Sequence, residues 1–128
     1  MARLRSSTPA ALAVVAGGMI GSSARAGAGL LLPAGSGEFP VATFLVNITG
    51  SLLLGLYLAR RQRAVTTRWS LQLWAIGALG SFTTFSAFSF EVVRLIDAER
   101  ATVAAAYAAA SLCGGLAAAL LGERLGGA

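Results

Sequence analysis

The residues with the most chemical potential lie in one segment near the middle of this chain. Residues 77–91 combine two glycines, five hydroxyl side chains and four phenylalanines. Phe85 and Phe88 are three residues apart, so on a helix their rings lie close to one face. An aromatic ring has a positive edge, and Thr84 and Ser86 can donate hydrogen bonds beside it. Ring edges and hydroxyl groups together attract a small anion but bind it less tightly than an arginine would. The spacing of the rings alone is also typical of ordinary helix packing.

Further polar residues interrupt the neighbouring apolar segments. Asn47 has an amide that can donate and accept hydrogen bonds, either to another helix or to a ligand. Tyr107 and Ser111 are one helical turn apart in an alanine-rich run, and their hydroxyls serve either packing or a polar path. Glu91 either couples to protons or pairs with Arg94, three residues further on. Polar groups in apolar surroundings are costly and therefore often functional.

The overall composition places these residues in a membrane. The 128 residues are 56% hydrophobic and 12% charged, and the mean hydropathy is +0.75. Soluble domains carry about 25% charged residues, so the composition excludes a disordered tail and argues against a soluble enzyme. The chain has no histidine and a single cysteine, Cys113, which excludes imidazole catalysis, histidine-bound metals and an internal disulfide. We therefore expect a protein that is not an enzyme and that acts inside the bilayer.

Four apolar stretches predict an all-α integral membrane protein with four transmembrane helices. They cover residues 10–32, 41–59, 69–96 and 101–121, and each is close to the ~20 residues that a spanning helix needs. The third is the longest, and its glycines and hydroxyls predict a break within 80–84. Interrupted backbone at membrane depth survives where it is buried or lines a cavity. Because the connections are short, we expect residues 1–128 to form a single transmembrane domain.

The basic residues indicate an orientation. All ten are arginines, the net charge is +5, and Arg60, Arg61, Arg63 and Arg68 cluster between the second and third stretches. Such a cluster is typical of a cytoplasmic loop, whereas a nucleic-acid interface needs a basic stripe on a soluble face. With four spans, seven arginines share the side of the two termini and three lie on the other side. This bias predicts cytoplasmic termini.

The first stretch has two interpretations. It contains Ala24-Arg25-Ala26, which is similar to a signal-peptidase site, and cleavage there would leave three spans. Gly17 and Gly21 favour a permanent helix, because small residues four apart let helices approach closely. The first and fourth stretches are rich in small residues, which favour helix association. Four helices are also too few to enclose a pore alone, so we predict that the chain self-associates.

Together these residues resemble the Fluc (CrcB) family of fluoride channels. The resemblance covers nearly the whole chain, and it rests on order and spacing rather than on any one motif. Its elements are a glycine-rich first helix reaching Arg25, the run Thr43-Phe-Leu-Val-Asn47-Ile-Thr-Gly50, and the signature Gly80-Ser-Phe-Thr-Thr-Phe85-Ser-Ala-Phe88-Ser-Phe-Glu91.

The resemblance implies an antiparallel homodimer with two fluoride pores and a structural sodium ion at the dimer interface. Phe85 and Phe88 would form an aromatic box whose edges meet fluoride, and Asn47 would be a pore-side hydrogen-bond donor. The backbone carbonyls of Gly80 and Thr83 would hold the sodium ion. The other pore residues expected from the chemistry and the resemblance are Thr84, Ser86, Tyr107, Ser111 and, near a vestibule, Arg25.

The chain departs from the family pattern at three positions. Ser81 stands where a second glycine is usual, and Ala87 replaces a common threonine. Gly115 falls where a serine would continue the track of Tyr107 and Ser111. The uneven arginine count adds a further alternative, in which the chain inserts mainly one way and pairs with an oppositely oriented paralogue.

The resemblance implies passive fluoride export from the cytoplasm across a bacterial inner membrane, which lowers fluoride toxicity. A negative-inside potential drives an anion outward by about 2.3 kcal/mol per 100 mV, and the sequence contains no P-loop for ATP. One alternative is a small multidrug-resistance-type proton-coupled exporter, but that class needs an acid in its first helix and this first stretch has none. A second is a non-transporting assembly subunit, which predicts no ion flux.

Overall fold

The regular structure of this chain is helical throughout its described part. The computed structural model describes residues 7–63, 67 and 69–128. In chain order its elements are α1 (Ser7–Leu31), α2 (Val41–Arg63), a π-helical segment (Leu71–Leu79), α3 (Gly80–Phe82), α4 (Phe85–Asp97) and α5 (Ala101–Gly127).

Four helical units are long and apolar enough to cross a membrane. Large apolar side chains lie more than half exposed along them, for example at Leu12, Met19 and Leu116, as a lipid-facing surface requires. The prediction of an all-α chain with four apolar helices is therefore confirmed. The four units are Thr8–Leu31, Val41–Arg63, Leu71–Asp97 and Ala101–Gly127, with mean hydropathies between 1.2 and 1.8.

Two helices extend further at their C-terminal ends than the sequence predicted. The last turn of α2 contains Arg60, Arg61 and Arg63, which we expected in a loop, and α5 continues to Gly127 rather than ending near residue 121. Arginine is a good helix former, and its positive charge is favourable at a helix C-terminus. The fourth residue of the predicted cluster, Arg68, lies outside the described residues.

Close helix packing occurs where glycines remove the side chain. A Cβ atom added at Gly21 would collide with the carbonyl oxygen of Ala78, so α1 lies directly against the third span. Gly122 lets α5 approach the Leu52 carbonyl of α2 in the same way. The close approach predicted for the glycines of the first stretch is confirmed. These contacts of Gly21 and Gly122 occur within the chain, and the predicted self-association stays a prediction.

The best-buried side chains lie where α4 meets α5. Leu95, Ala104 and Tyr107 are buried there, and Tyr107 is fully enclosed. Partly buried rings, including Phe39 and Phe88, pack against this cluster. The cluster fixes α4 against α5 and so positions the side chains that α4 presents to the other helices.

Candidate pore and ion-binding site

Two threonines in the third span have extended backbone. Thr83 has ψ 156°, and Thr84 has φ −148° and ψ 122°. Helix α4 starts immediately afterwards at Phe85, and the amide of Ala87 donates to Thr84 Oγ1 at 3.1 Å. Thr84 is thus the N-cap of α4, a position that favours threonine because the hydroxyl satisfies one of the free amides of the first turn.

The side-chain amide of Asn47 pairs with the backbone of Thr84. The Thr84 amide donates to Asn47 Oδ1 at 2.8 Å, and Asn47 Nδ2 donates to the Thr84 carbonyl at 3.0 Å. Extended backbone at membrane depth has no helical partners and must be satisfied by neighbouring groups. Asn47 therefore holds the extended residue in place, and its second Nδ2 hydrogen is left for another acceptor.

The carbonyl oxygen of Gly80 is released from the helical pattern. In a continuous helix the Thr84 amide would donate to it, but that amide is bonded to Asn47 instead. The amide and hydroxyl of Thr83 both donate to the Leu79 carbonyl, at 3.1 and 3.0 Å. Gly80, Thr83, Thr84, Asn47 and Phe85 line one cleft of about 300 Å³.

This cleft fits an oxygen-ligated cation better than a side-chain metal site. Within the described ranges no group of three or more His, Cys, Asp or Glu residues converges. Hard monovalent and divalent cations take oxygen ligands, and carbonyls freed from a helix are typical sodium ligands in membrane proteins. The Gly80 carbonyl is of that kind, and Thr83 lines the same cleft.

Arg25 also contacts the region just before the threonines. Its Nε donates to the carbonyl oxygen of Ser81 at 3.1 Å, which links α1 to α3. Arg25 lines a second, open depression of about 610 Å³, together with Ser22, Thr43 and Thr84. A guanidinium, several hydroxyls and an open approach make this depression suited to collecting anions.

The phenylalanine rings form a continuous row with Tyr107. The centroids of Phe85 and Phe88 are 5.8 Å apart, and those of Phe88 and Tyr107 are 5.2 Å apart. Phe88 is half-buried, whereas Phe85 is 76% exposed in the single protomer. The exposed ring therefore needs lipid or another protein surface to cover it.

The carboxylate of Glu91 has partners that the sequence did not predict. Thr43 Oγ1 and the Tyr107 hydroxyl donate to its two oxygens, each at 2.7 Å. The expected alternative of a pair with Arg94 was wrong, because Arg94 lies over the Phe90 ring at 5.9 Å. The available signal was that Thr43, Glu91 and Tyr107 are polar residues in three separate apolar stretches, but nothing in the sequence indicated that they meet.

The remaining two predicted pore residues differ in their surroundings. Ser86 Oγ lies 3.2 Å from Thr84 Oγ1 near the start of α4. Ser111 Oγ is buried and has no hydrogen-bond partner among the described residues. A buried hydroxyl without a partner is costly, so Ser111 is suited to meeting a water molecule or an anion.

The structure brings most of the predicted site residues together. Residues 80 and 83–85 join Asn47 at one cleft, and Phe88 and Tyr107 continue the row of rings from Phe85. Arg25 meets the same segment from α1 through Ser81. Ser111 is the member without a described contact to the others.

The fold and this polar mid-helix site define a multi-pass membrane protein. Residues 12–123 match the family model described as CrcB-like protein, Camphor Resistance (CrcB). The chain therefore belongs to the CrcB family.

Three of its relatives are each named a fluoride-specific ion channel. It is 43% identical over 97% of its length to fluoride-specific ion channel FluC 3 of Streptomyces avermitilis, and it spans 60% of that longer protein. It is 44% identical over 82% of its length to FluC 2 of Geobacillus kaustophilus, covering 83% of that protein. With FluC of Thermus thermophilus the identity is 42%, over 91% of this chain and 94% of the relative.

Proposed function

We propose that this chain forms a fluoride-selective passive ion channel. The observation that carries the proposal is the row of rings that begins at Phe85, directly at the N-terminus of α4 and beside the extended threonines. A helix N-terminus carries a partial positive charge, and aromatic edges add a further weak attraction for an anion. The names of the relatives, fluoride-specific ion channels, support fluoride as the anion.

Along the proposed path the chain offers one arginine and otherwise only weak, uncharged contacts to an anion. Arg25 attracts anions at an open depression. Phe85 and Phe88 then present ring edges, Thr84 and Ser86 present hydroxyls, and Asn47 retains one free amide hydrogen. Tyr107 and Ser111 extend the path along α5. Conduction requires sites that are favourable enough to enter and weak enough to leave, which suits this composition.

The proposed working unit is an antiparallel homodimer. The exposed Phe85 ring and the open cleft at Gly80 support a unit in which a second protomer completes the pore. We take the extended Thr83–Thr84 pair to be the functional break of the third span. The Gly80 and Thr83 carbonyls would hold a structural sodium ion, which supplies a fixed positive charge at the interface.

A membrane potential that is negative inside drives an anion out of the cytoplasm. The electrical free energy is about 2.3 kcal/mol per elementary charge for each 100 mV. We therefore propose location in a bacterial inner membrane and a role in lowering fluoride toxicity. Pairing with an oppositely oriented paralogue stays an alternative, as does a small multidrug-resistance-type exporter. The latter is disfavoured because the described part of α1 carries no acidic residue.

The proposal is tested by fluoride efflux from liposomes that contain only this purified chain. A potassium gradient with valinomycin supplies the counter-charge, and chloride-loaded liposomes are the control. Fluoride release without chloride release supports a selective channel formed by identical subunits. No release from folded protein, followed by release after adding an opposite-topology paralogue, would favour the paired alternative. Release that depends on a proton gradient would contradict the passive channel.

A further inference from the structure

An apolar groove lies apart from the proposed ion path. It is lined by residues of α1, α2 and the third span, among them Ile20, Leu53, Trp74 and Phe82. Its volume is about 500 Å³, within the range of about 300–1,000 Å³ that is usual for ligand pockets. Apolar side chains make almost the whole lining, so the groove suits a hydrocarbon chain and not a hydrated ion.

One charged side chain stands at this groove. Among the described residues that line it, Arg60 alone is charged, and in the described part of the chain its side chain has no hydrogen bond or ion pair. Tyr57, about one turn deeper, already shares a hydrogen bond with Ser70 Oγ at 2.6 Å. The guanidinium of Arg60 is exposed and so remains available to a ligand.

The depth of Arg60 matches the lipid headgroups. Helix α2 has 23 residues, and Arg60 is eight positions from its central residue, Leu52. This distance is about 12 Å along the helix axis, and the half-thickness of the hydrocarbon is about 15 Å. Because arginine extends toward the interface, its guanidinium reaches the phosphate level while the groove stays in the hydrocarbon.

We propose that this groove binds a phospholipid whose headgroup is net negative. One acyl chain fills the groove beside Trp74, and the phosphate is held by Arg60, whose planar fork suits phosphate oxygens. Arg61 and Arg63 lie in the same last turn of α2 and raise the local positive potential. Basic pockets between transmembrane helices on the cytoplasmic side are known to bind anionic headgroups. The site is separate from the proposed fluoride path and does not depend on it.

The test uses Trp74 as a reporter in the full chain, with Trp69→Phe removing the other tryptophan. The protein is reconstituted in vesicles with rising fractions of phosphatidylglycerol brominated on its acyl chains, and in parallel with brominated phosphatidylcholine. We expect half-maximal quenching of Trp74 fluorescence at a roughly five-fold lower fraction of the anionic lipid. That factor corresponds to about 1 kcal/mol for one basic residue at an anionic surface.

Variants at the end of α2 separate a specific site from general surface charge. Arg60→Gln should remove the five-fold preference, and Arg60→Lys should keep most of it. Arg63→Gln is the matched control, because it removes the same charge from a residue that bonds the Ala128 carbonyl at 3.2 Å and does not line the groove. Equal quenching by both lipids in the unaltered chain, or equal loss in both glutamine variants, would overturn the proposal. No quenching by either lipid would also overturn it, since a second copy of this chain would then cover the groove.

Discussion

At the scale of single residues, polar groups deep in the helices are bonded to each other. Asn47 holds both backbone groups of Thr84, and Glu91 accepts hydrogen bonds from Thr43 and Tyr107. Hydrocarbon offers no hydrogen bonds, so each of these groups would otherwise carry a desolvation cost. Substitutions at these residues should therefore lower the free energy of unfolding more than substitutions at exposed neighbours.

Replacing Asn47 tests its role as the partner of Thr84. Asn47→Leu leaves the Thr84 amide and carbonyl without their partners, which should lower the free energy of unfolding by about 1–3 kcal/mol. Denaturation in detergent micelles, followed by circular dichroism, measures this loss. Thr49→Val is the control, because Thr49 lies on the same helix and is exposed. Equal losses in the two variants would contradict the pairing as a stabilising contact.

The two rings near the start of α4 can be tested without large changes in volume. Phe85→Ile and Phe88→Ile remove the positive ring edges while keeping apolar side chains, so each should abolish fluoride flux from liposomes. Phe90→Ile serves as the control, because Phe90 belongs to the same helix but contacts Arg94 rather than the ring row. Unaltered flux in both test variants would refute the assignment of the aromatic box.

At the scale of elements, glycines decide which helices touch. Helix α1 reaches the third span because Gly21 presents no Cβ to the Ala78 carbonyl. Gly50 of α2 similarly makes room for the methyl group of Thr83, next to the cleft that we propose for sodium. The geometry around the extended threonines thus depends on helix contacts that glycine alone permits.

Two glycines of the same helix give opposite predictions. Gly21→Ala places a methyl group against backbone, so we expect a loss of about 1–3 kcal/mol in unfolding free energy from overpacking. Gly27→Ala meets nothing within 4 Å and should raise stability by up to about 1 kcal/mol, since alanine is the better helix former. Thermal melting of both variants in detergent provides the comparison. A gain in both would contradict the close contact of α1 with the third span.

At the scale of the whole molecule, the single protomer leaves an aromatic ring and a polar cleft of its candidate site uncovered. Phe85 is 76% exposed, and the cleft at Gly80 and Thr83 is open. Both features lie on the surface that we propose for the second protomer, whereas Gly21 of α1 and Gly122 of α5 contact helices of the same chain. The proposed dimer would therefore be stabilised through the third span.

Removing sodium tests the proposed interface ion. A cation that binds only the folded dimer stabilises it by about 1.4 kcal/mol for each ten-fold excess over its dissociation constant. Exchange of sodium for N-methyl-D-glucamine at constant ionic strength should therefore lower the melting temperature and the dimer fraction, measured by size-exclusion chromatography with light scattering. Readdition of sodium should restore both. Identical stability and dimer fraction in the two salts would exclude a structural sodium ion.

The sequence by itself determined the membrane class, the four helices and the family. Backbone in hydrocarbon must satisfy its own hydrogen bonds, so long apolar runs leave little choice but helices. The run that contains Phe85 and Phe88, together with the earlier run around Asn47, was enough to indicate the CrcB family. These features depend on local composition and order, which a sequence states directly.

The tertiary structure alone decided which polar groups are partners. Asn47 meets Thr84, Arg25 meets the Ser81 carbonyl, and Glu91 meets Tyr107 rather than Arg94. Each pairing joins different helices, so it depends on their relative rotation and depth. Hydropathy limits the depth of each helix only approximately and leaves its rotation open, because an apolar helix can turn about its axis in lipid at little cost. Side-chain packing and glycine contacts fix both, and only the folded chain contains them.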